Sequence, residues 1–350
     1  MTTTQAGPTS GTPSGAATRR PRRLRAAWLL ASLLLLVALA ALSVAVGSRD
    51  VGLDDIVAAL GGSSETLDEA AVTKRIPRTL LAVLVGAALG LAGAVMQGVT
   101  RNPLADPGIL GVNMGASLAV VTGIAWFGLT APSSYIWVAI GGAAVAAVFV
   151  YAVGSLGRGG ATPLKLALAG TATSAALVSF ITAVVLPRND ISEGALSWQI
   201  GGVGGASFDA ITLVLPFLAV GLLVCLASAR GLDSLALGDD VAAGLGERVA
   251  LTRGAAAAGA VLLCGAATAV AGPIGFVGLV VPHLCRMLIG VDHRWLLPFT
   301  AVGGAALLTT ADVLGRIVAR PSEVDVGIIT ALVGAPFFIH VVRRHKVREL

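Results

Sequence analysis

Two stretches of this chain crowd residues together in a way that suits recognition chemistry. The first is KRIPRT at 74–79, which carries Lys74, Arg75 and Arg78. Cations packed this closely suit docking of the acidic groups of an external partner, or anchoring at an interface. The second is GDDVAAGLGERV at 238–249. Here Asp239 and Asp240 stand where they can cap a short helix, Val241, Ala242, Ala243 and Leu245 give it a small apolar face, and Gly246 ends it. Such a helix fits the groove of a partner, or lies as an interfacial turn.

Enzyme chemistry finds no comparable set. There is no HExxH, no GxSxG and no paired-cysteine zinc pattern. The histidines His283, His293, His340 and His345 are scattered, and His283 after Pro282 reads as a packing or capping residue. A nucleotide-binding P-loop needs a lysine after glycine and before Ser or Thr, yet Lys74, Lys165 and Lys346 follow Thr73, Leu164 and His345. If ATP drives this protein, the ATPase is another subunit. Cys225, Cys264 and Cys285 sit in apolar runs as small buried hydrophobes rather than as a disulfide framework or metal cluster. No catalytic residue, metal site or cofactor is expected.

The elements that must hold these stretches follow from composition. The 350 residues are 56% hydrophobic and only 12% charged, with a mean hydropathy of +0.88, so lipid must be the solvent for most of the chain. The net charge of +5 lies in short clusters between apolar runs, which argues for membrane topology and against nucleic acid. Residues 1–25 are rich in Thr, Ser, Gly and Pro, end in Arg19, Arg20, Arg22, Arg23 and Arg25, and read as a disordered basic cytoplasmic leader.

Ten spans are predicted, at 26–46, 79–99, 111–128, 135–155, 164–186, 210–229, 249–271, 274–289, 295–314 and 326–342. The first covers about 31 Å as a helix, enough to cross the hydrocarbon, and is retained rather than cleaved. Together they form one all-α permease domain at 26–343, with a coupling loop at 233–248 and a cytoplasmic tail at 344–350. With both termini cytoplasmic, 17 of the 24 Lys and Arg fall on the cytoplasmic side and 7 outside, whereas the flipped chain reverses that bias. The outer set includes Arg75, Arg78 and Arg316, the inner set Arg101 and Arg253.

Between the second and third spans, RNPLADPGILG at 101–111 carries two prolines and two glycines that enforce non-helical backbone. In a membrane such backbone lies at the interface or packed in protein. Glycine pairs at small-xxx-small spacing, Gly86 with Gly90, Gly111 with Gly115 and Gly201 with Gly205, fit close helix packing. Every Asp and Glu lies in a loop or near a span end, which weakens the alternative of an ion-coupled secondary transporter acting alone.

Four segments carry a resemblance: RIPRTLLAVLVGAALGLAGAVMQGVTRNPLADPGILGVNMGA, LALGDDVAAGLG, AGPIGFVGLVVPHLCRMLIGVDHR, and ADVLGR followed by GIITALVGAPFFI. In this order they resemble the FecCD-type permeases of ABC importers, the family that moves iron chelates, haem and cobalamin. The resemblance covers most of the chain from Arg75 onward and leaves out the leader and 53–71. After SWQ, the glycine-rich IGGVGGAS at 200–207 departs from the family's usual outer gate region.

The resemblance implies a multi-pass protein of a bacterial cell membrane, working as a homo- or heterodimer of permease subunits. Two cytoplasmic ATPases would sit below and an extracytoplasmic binding protein above, with an iron(III)-siderophore as the expected cargo. It implies that Arg75, Arg78 and Arg316 meet carboxylates of the binding protein. For Arg316 an ion pair with Asp312, four residues back, competes with that role. It also implies that 238–246, with Gly238, Asp239, Asp240, Ala242, Ala243 and Gly246, sits in the ATPase groove and transmits ATP-driven closure.

Overall fold

The computed structural model describes residues 21–129, 132–157, 162–188 and 198–344, and every regular element among them is helical. Residues 1–20 of the expected leader and 345–350 of the expected tail lie outside the described residues, as do Arg158 and the other basic residues of those two segments. Helix α1 is Arg22–Ala45, α2 is Leu53–Leu60 and α3 is Leu67–Thr100. A 3-10 turn at Pro107–Leu110 leads into α4, Val112–Phe127, followed by α5, Pro132–Ser155, and α6, Pro163–Val185. Then come α7, Phe208–Ala227, the short α8, Ala229–Leu235, and α9, Asp239–Gly244. The chain ends in α10, Val249–Ala271, α11, Val277–Ile289, α12, His293–Val318, and α13, Val326–Arg344.

Each of the ten expected spans coincides with one of these helices. Seven are long and apolar enough to cross a membrane, while α4, α11 and α13 are shorter apolar helices. The expected first boundary shifts, because α1 begins at Arg22 and takes Arg22, Arg23 and Arg25 into the helix. Arg25 pairs with Asp292 at 3.1 Å and so ties the start of α1 to the N-cap of α12.

The shortness of α4 has a visible cause. After Thr100 the chain turns through Arg101, whose φ of 51 is left-handed, and climbs back into the bundle. There the Asn113 side-chain oxygen accepts from Cys264 at 3.1 Å and Thr268 at 3.2 Å, well along α10. Asp106 reaches the start of α11, since a Cβ on Gly278 would lie 2.6 Å from its carboxylate. Of the two settings open to 101–111, the segment is packed in protein, where Ala105, Pro107 and Leu110 are buried.

Helix α3 is the axis of the bundle and packs most extensively on α12. A Cβ on Gly86 would sit 2.4 Å from the Gly304 carbonyl oxygen, and one on Gly93 2.0 Å from that of Gly278. Backbones this close leave room for hydrogen alone, and dispersion across them replaces the hydrophobic drive that lipid cannot supply. Gly115 meets Gly142 of α5 in the same way. Gly201 and Gly205 differ from the expected packing pair, because Gly201 turns at a φ of 79 outside any helix. Cys225, Cys264 and Cys285 are buried free thiols, and the His283 ring packs edge-on against Phe337.

Candidate functional site

One end of the bundle is built around the start of α3. Thr66 and Glu69 form a capping box: the Thr66 hydroxyl accepts from the Glu69 amide at 3.1 Å, and the Glu69 carboxylate accepts from the Thr66 amide at 3.3 Å. The helix therefore starts at Leu67, twelve residues ahead of the span predicted from 79, so KRIPRT is helical with Pro77 inside it.

Arg75 and Arg316 converge on the last turn of α1. Arg75 donates to the carbonyls of Ala45 at 2.9 Å and Arg49 at 2.6 Å. Arg316 donates to the carbonyls of Ser43 at 2.8 Å and Val46 at 3.0 Å, and to the Ser43 hydroxyl at 2.6 Å. The final carbonyls of a helix have no partner within it and carry negative partial charge, so two guanidinium groups there satisfy and complement them. Both arginines are buried, Arg316 at 1% exposure.

Arg78 is held differently. Its Nε and Nη2 donate to one oxygen of Asp312, at 2.9 and 2.8 Å, and its Nη1 donates to Glu323 at 2.5 Å. Asp312 also pairs with Arg316 at 2.9 Å, so the competing local ion pair is present and a second arginine shares it. The Asp312 side chain is 1% exposed, against 37% for Glu323. Glu323 also accepts from the Ser48 hydroxyl at 2.8 Å. Burial raises the Glu323 pKa, but the Arg78 and Ser48 contacts outweigh it and hold the carboxyl below the ordinary glutamate range.

The opposite end carries the segment 238–246, expected from the resemblance to serve coupling. Gly238 and Gly246 flank α9 with φ values of 111 and 84. Instead of capping α9, Asp239 spends its carboxylate on Arg101 at the end of α3 and on Arg253 of α10, the latter at 2.9 Å. The Arg253 hydrogen bond leads the causes that hold Asp239 below the usual aspartate range. Ala242 is fully buried, whereas Asp240, Val241, Ala243 and Leu245 are exposed. The small apolar face is thus divided, with Ala242 gripping the bundle and its neighbours turned outward.

Several residues of these two ends escaped the sequence reading. Asp233 accepts from the His293 backbone at 2.9 Å and pairs with its ring at 2.7 Å, fastening α8 to α12. Burial raises the Asp233 pKa, but the His293 contacts outweigh it, so the carboxyl is held low. Buried Gln97 donates to the Gly278 carbonyl at 3.1 Å and accepts from Arg286. Glu323 was missed although a signal existed: an acid pair, Glu323 and Asp325, in a short connection expected on the same side as the arginines.

Between the two ends, a cavity of about 420 Å³ opens beside the 3-10 turn, lined by Asp106, Thr171, Ser174, Phe276, Leu279 and Phe338. It lies next to α6, whose Thr171, Ala175, Ser179 and Thr182 form an exposed stripe. The three hydroxyls of that stripe donate to carbonyls of their own helix.

A polytopic helical bundle whose central helix joins a charged site at each end is the architecture of a membrane-embedded permease. The FecCD transport family matches residues 34–344, and the chain belongs to that family. It is 43% identical over 314 residues to the ferric enterobactin transport system permease protein FepD of Escherichia coli (strain K12), covering 89% of this chain and 93% of that protein. It is 42% identical over 321 residues to the iron(3+)-hydroxamate import system permease protein FhuB of Bacillus subtilis (strain 168), covering 91% and 83%. A solved metal-chelate type ABC transporter in an inward-facing conformation superposes with a TM-score of 0.79 at 27% identity, covering 91% of this chain and 99% of that one.

Proposed function

We propose that this permease is the membrane subunit of an ATP-binding-cassette importer for ferric siderophores. It pairs with a second permease subunit, receives cargo from an extracytoplasmic binding protein at the Arg75, Arg78 and Arg316 end, and couples through 238–246 to two cytoplasmic ATPases. The observation that carries this reading is α3, which places Arg75 and Arg78 near one end and Arg101, bonded to Asp239, at the other. The cargo class follows from relatives named for ferric enterobactin and iron(3+)-hydroxamate.

Within the arginine cluster, Arg78 meets the partner's carboxylate directly, while Arg75 and Arg316 hold the end of α1 that frames it. The exposed α6 stripe and the adjoining cavity line the pathway against the second subunit, since small and hydroxyl-bearing side chains suit a wet passage better than a lipid face. ATP-driven closure pushes on Val241, Ala243 and Leu245, and the Asp239 ties carry that push to α3 and α10. A shift follows only because the coupling helix meets the two ATPase states differently.

Proteoliposomes holding the permease, its ATPase and a loaded binding protein are expected to accumulate ferric siderophore only with ATP. Uptake by the permease alone under a proton or sodium gradient would overturn the proposal in favour of an ion-coupled carrier. Cysteines introduced at Glu65 and Ala243 are expected to react with impermeant maleimide from opposite sides of the membrane.

A further inference from the structure

We propose that Glu323 is a resident substitute for the binding protein's carboxylate. In the undocked permease it occupies the outward edge of Arg78, and docking exchanges it for an acidic side chain of the partner. This rests on the docking role proposed for the arginine cluster and adds the group that controls it.

The two carboxylates on Arg78 are unequal. Asp312 grips the Nε and Nη2 edge from inside the bundle and is itself fixed by Arg316, so it cannot leave without stranding a buried charge. Glu323 grips Nη1 from the connection between α12 and α13, on a side chain more than a third exposed. Its other oxygen is already satisfied by the Ser48 hydroxyl, which gives it somewhere to stay when Arg78 changes partner.

The Arg78 side chain keeps 13% of its surface exposed, and the glycine-rich turn before α7 borders its Nη1. A Cβ on Gly204 would lie 3.9 Å from that nitrogen, while one on Gly205 would meet nothing within 4 Å. The lack of side chains at Gly204 and Gly205 leaves that edge of the guanidinium less covered than bulkier residues there would. Exchange of one carboxylate for another keeps Arg78 neutralised throughout, so docking avoids the cost of desolvating a bare guanidinium. The departure at 200–207 then has a local purpose, because bulk at Gly204 would cover that edge. Arg75, Arg316 and Asp325 also lie within electrostatic reach of Arg78, while its Nη1 donates to Glu323.

The test measures capture of the cognate binding protein, loaded with a ferric hydroxamate, by the complete transporter in lipid nanodiscs. Glu323→Gln keeps the shape and the Ser48 contact but removes the competing charge, and is expected to tighten capture about fivefold. Arg78→Ala is expected to weaken capture, and the double variant to match Arg78→Ala. Asp50→Asn removes one negative charge from the same end, where Asp50 pairs with Arg320 and is 89% exposed, and is expected to leave capture unchanged. Unchanged or weaker capture by Glu323→Gln overturns the inference while the docking role of Arg78 stands. Equal tightening by Asp50→Asn also overturns it, since the effect is then one of overall field. Arg78→Ala without effect removes the docking reading itself and this inference with it.

Discussion

Arg101 donates to Asp239, joining the C-terminal end of α3 to the first turn of α9. Arg75 lies on the same helix about 39 Å away, reckoned at 1.5 Å per residue. A helix that carries the arginine cluster near one end and the Asp239 contact at the other lets movement at either end be felt at both.

Loss of that joint should uncouple transport from ATP hydrolysis. Asp239→Asn is expected to leave membrane insertion intact and to cost below about 1 kcal/mol in stability, because the pair is exposed and screened. Transport in proteoliposomes should fall severalfold while ATPase activity persists. The Asp239 pKa is held low, so its ion pairs contribute fully above the ordinary aspartate range and are lost as pH falls through the depressed value. The variant's stability deficit is therefore expected to be constant from about pH 5 to 8 and to vanish only below about pH 4, as thermal unfolding at stepped pH will show.

Neighbouring alanines of α9 should fail in different ways. Ala243→Glu puts a bulky charge on the exposed face and is expected to abolish transport and ATPase attachment, with the isolated permease as stable as before. Ala242→Leu overfills a fully buried position and is expected to cost about 1–3 kcal/mol in the permease itself. Co-purification of the ATPase set beside detergent melting curves separates the two.

Charge removal at Arg316 should destabilise the fold. Arg316→Ala strands part of Asp312 and frees the last carbonyls of α1, for an expected loss of about 3–5 kcal/mol. Arg78→Ala leaves Asp312 still paired with Arg316, so its melting temperature should fall less than that of Arg316→Ala. Equal losses would contradict the division of roles between the two arginines.

Backbone contact between α3 and its neighbours should tolerate no methyl group. Gly93→Ala places a Cβ 2.0 Å from the Gly278 carbonyl oxygen, and the helices must part to admit it. A loss of about 2 kcal/mol or more is expected, against a negligible change for Gly254→Ala, whose Cβ would meet nothing within 4 Å.

Much of the architecture is legible in the linear chain, and the reason is lipid. A solvent that cannot hydrogen-bond forces each apolar run into a helix, so hydropathy alone locates α5, α6 and α10 to within a few residues. The short helix at 239–244 is equally legible, since Gly238 and Gly246 punctuate the backbone by their own conformational freedom. Hydropathy reports how a segment suits lipid and says nothing of which segment it meets. The helical state of KRIPRT depended on a cap at Thr66 outside the apolar run, and the re-entry of 101–111 depended on Asn113 finding α10. The spacing already paired Asp312 with Arg316, but only the tertiary structure brought Arg78 of α3 and Glu323 to them. Electrostatic partnership acts over a few ångströms in space, and Arg78 stands more than two hundred positions along the chain from the other three.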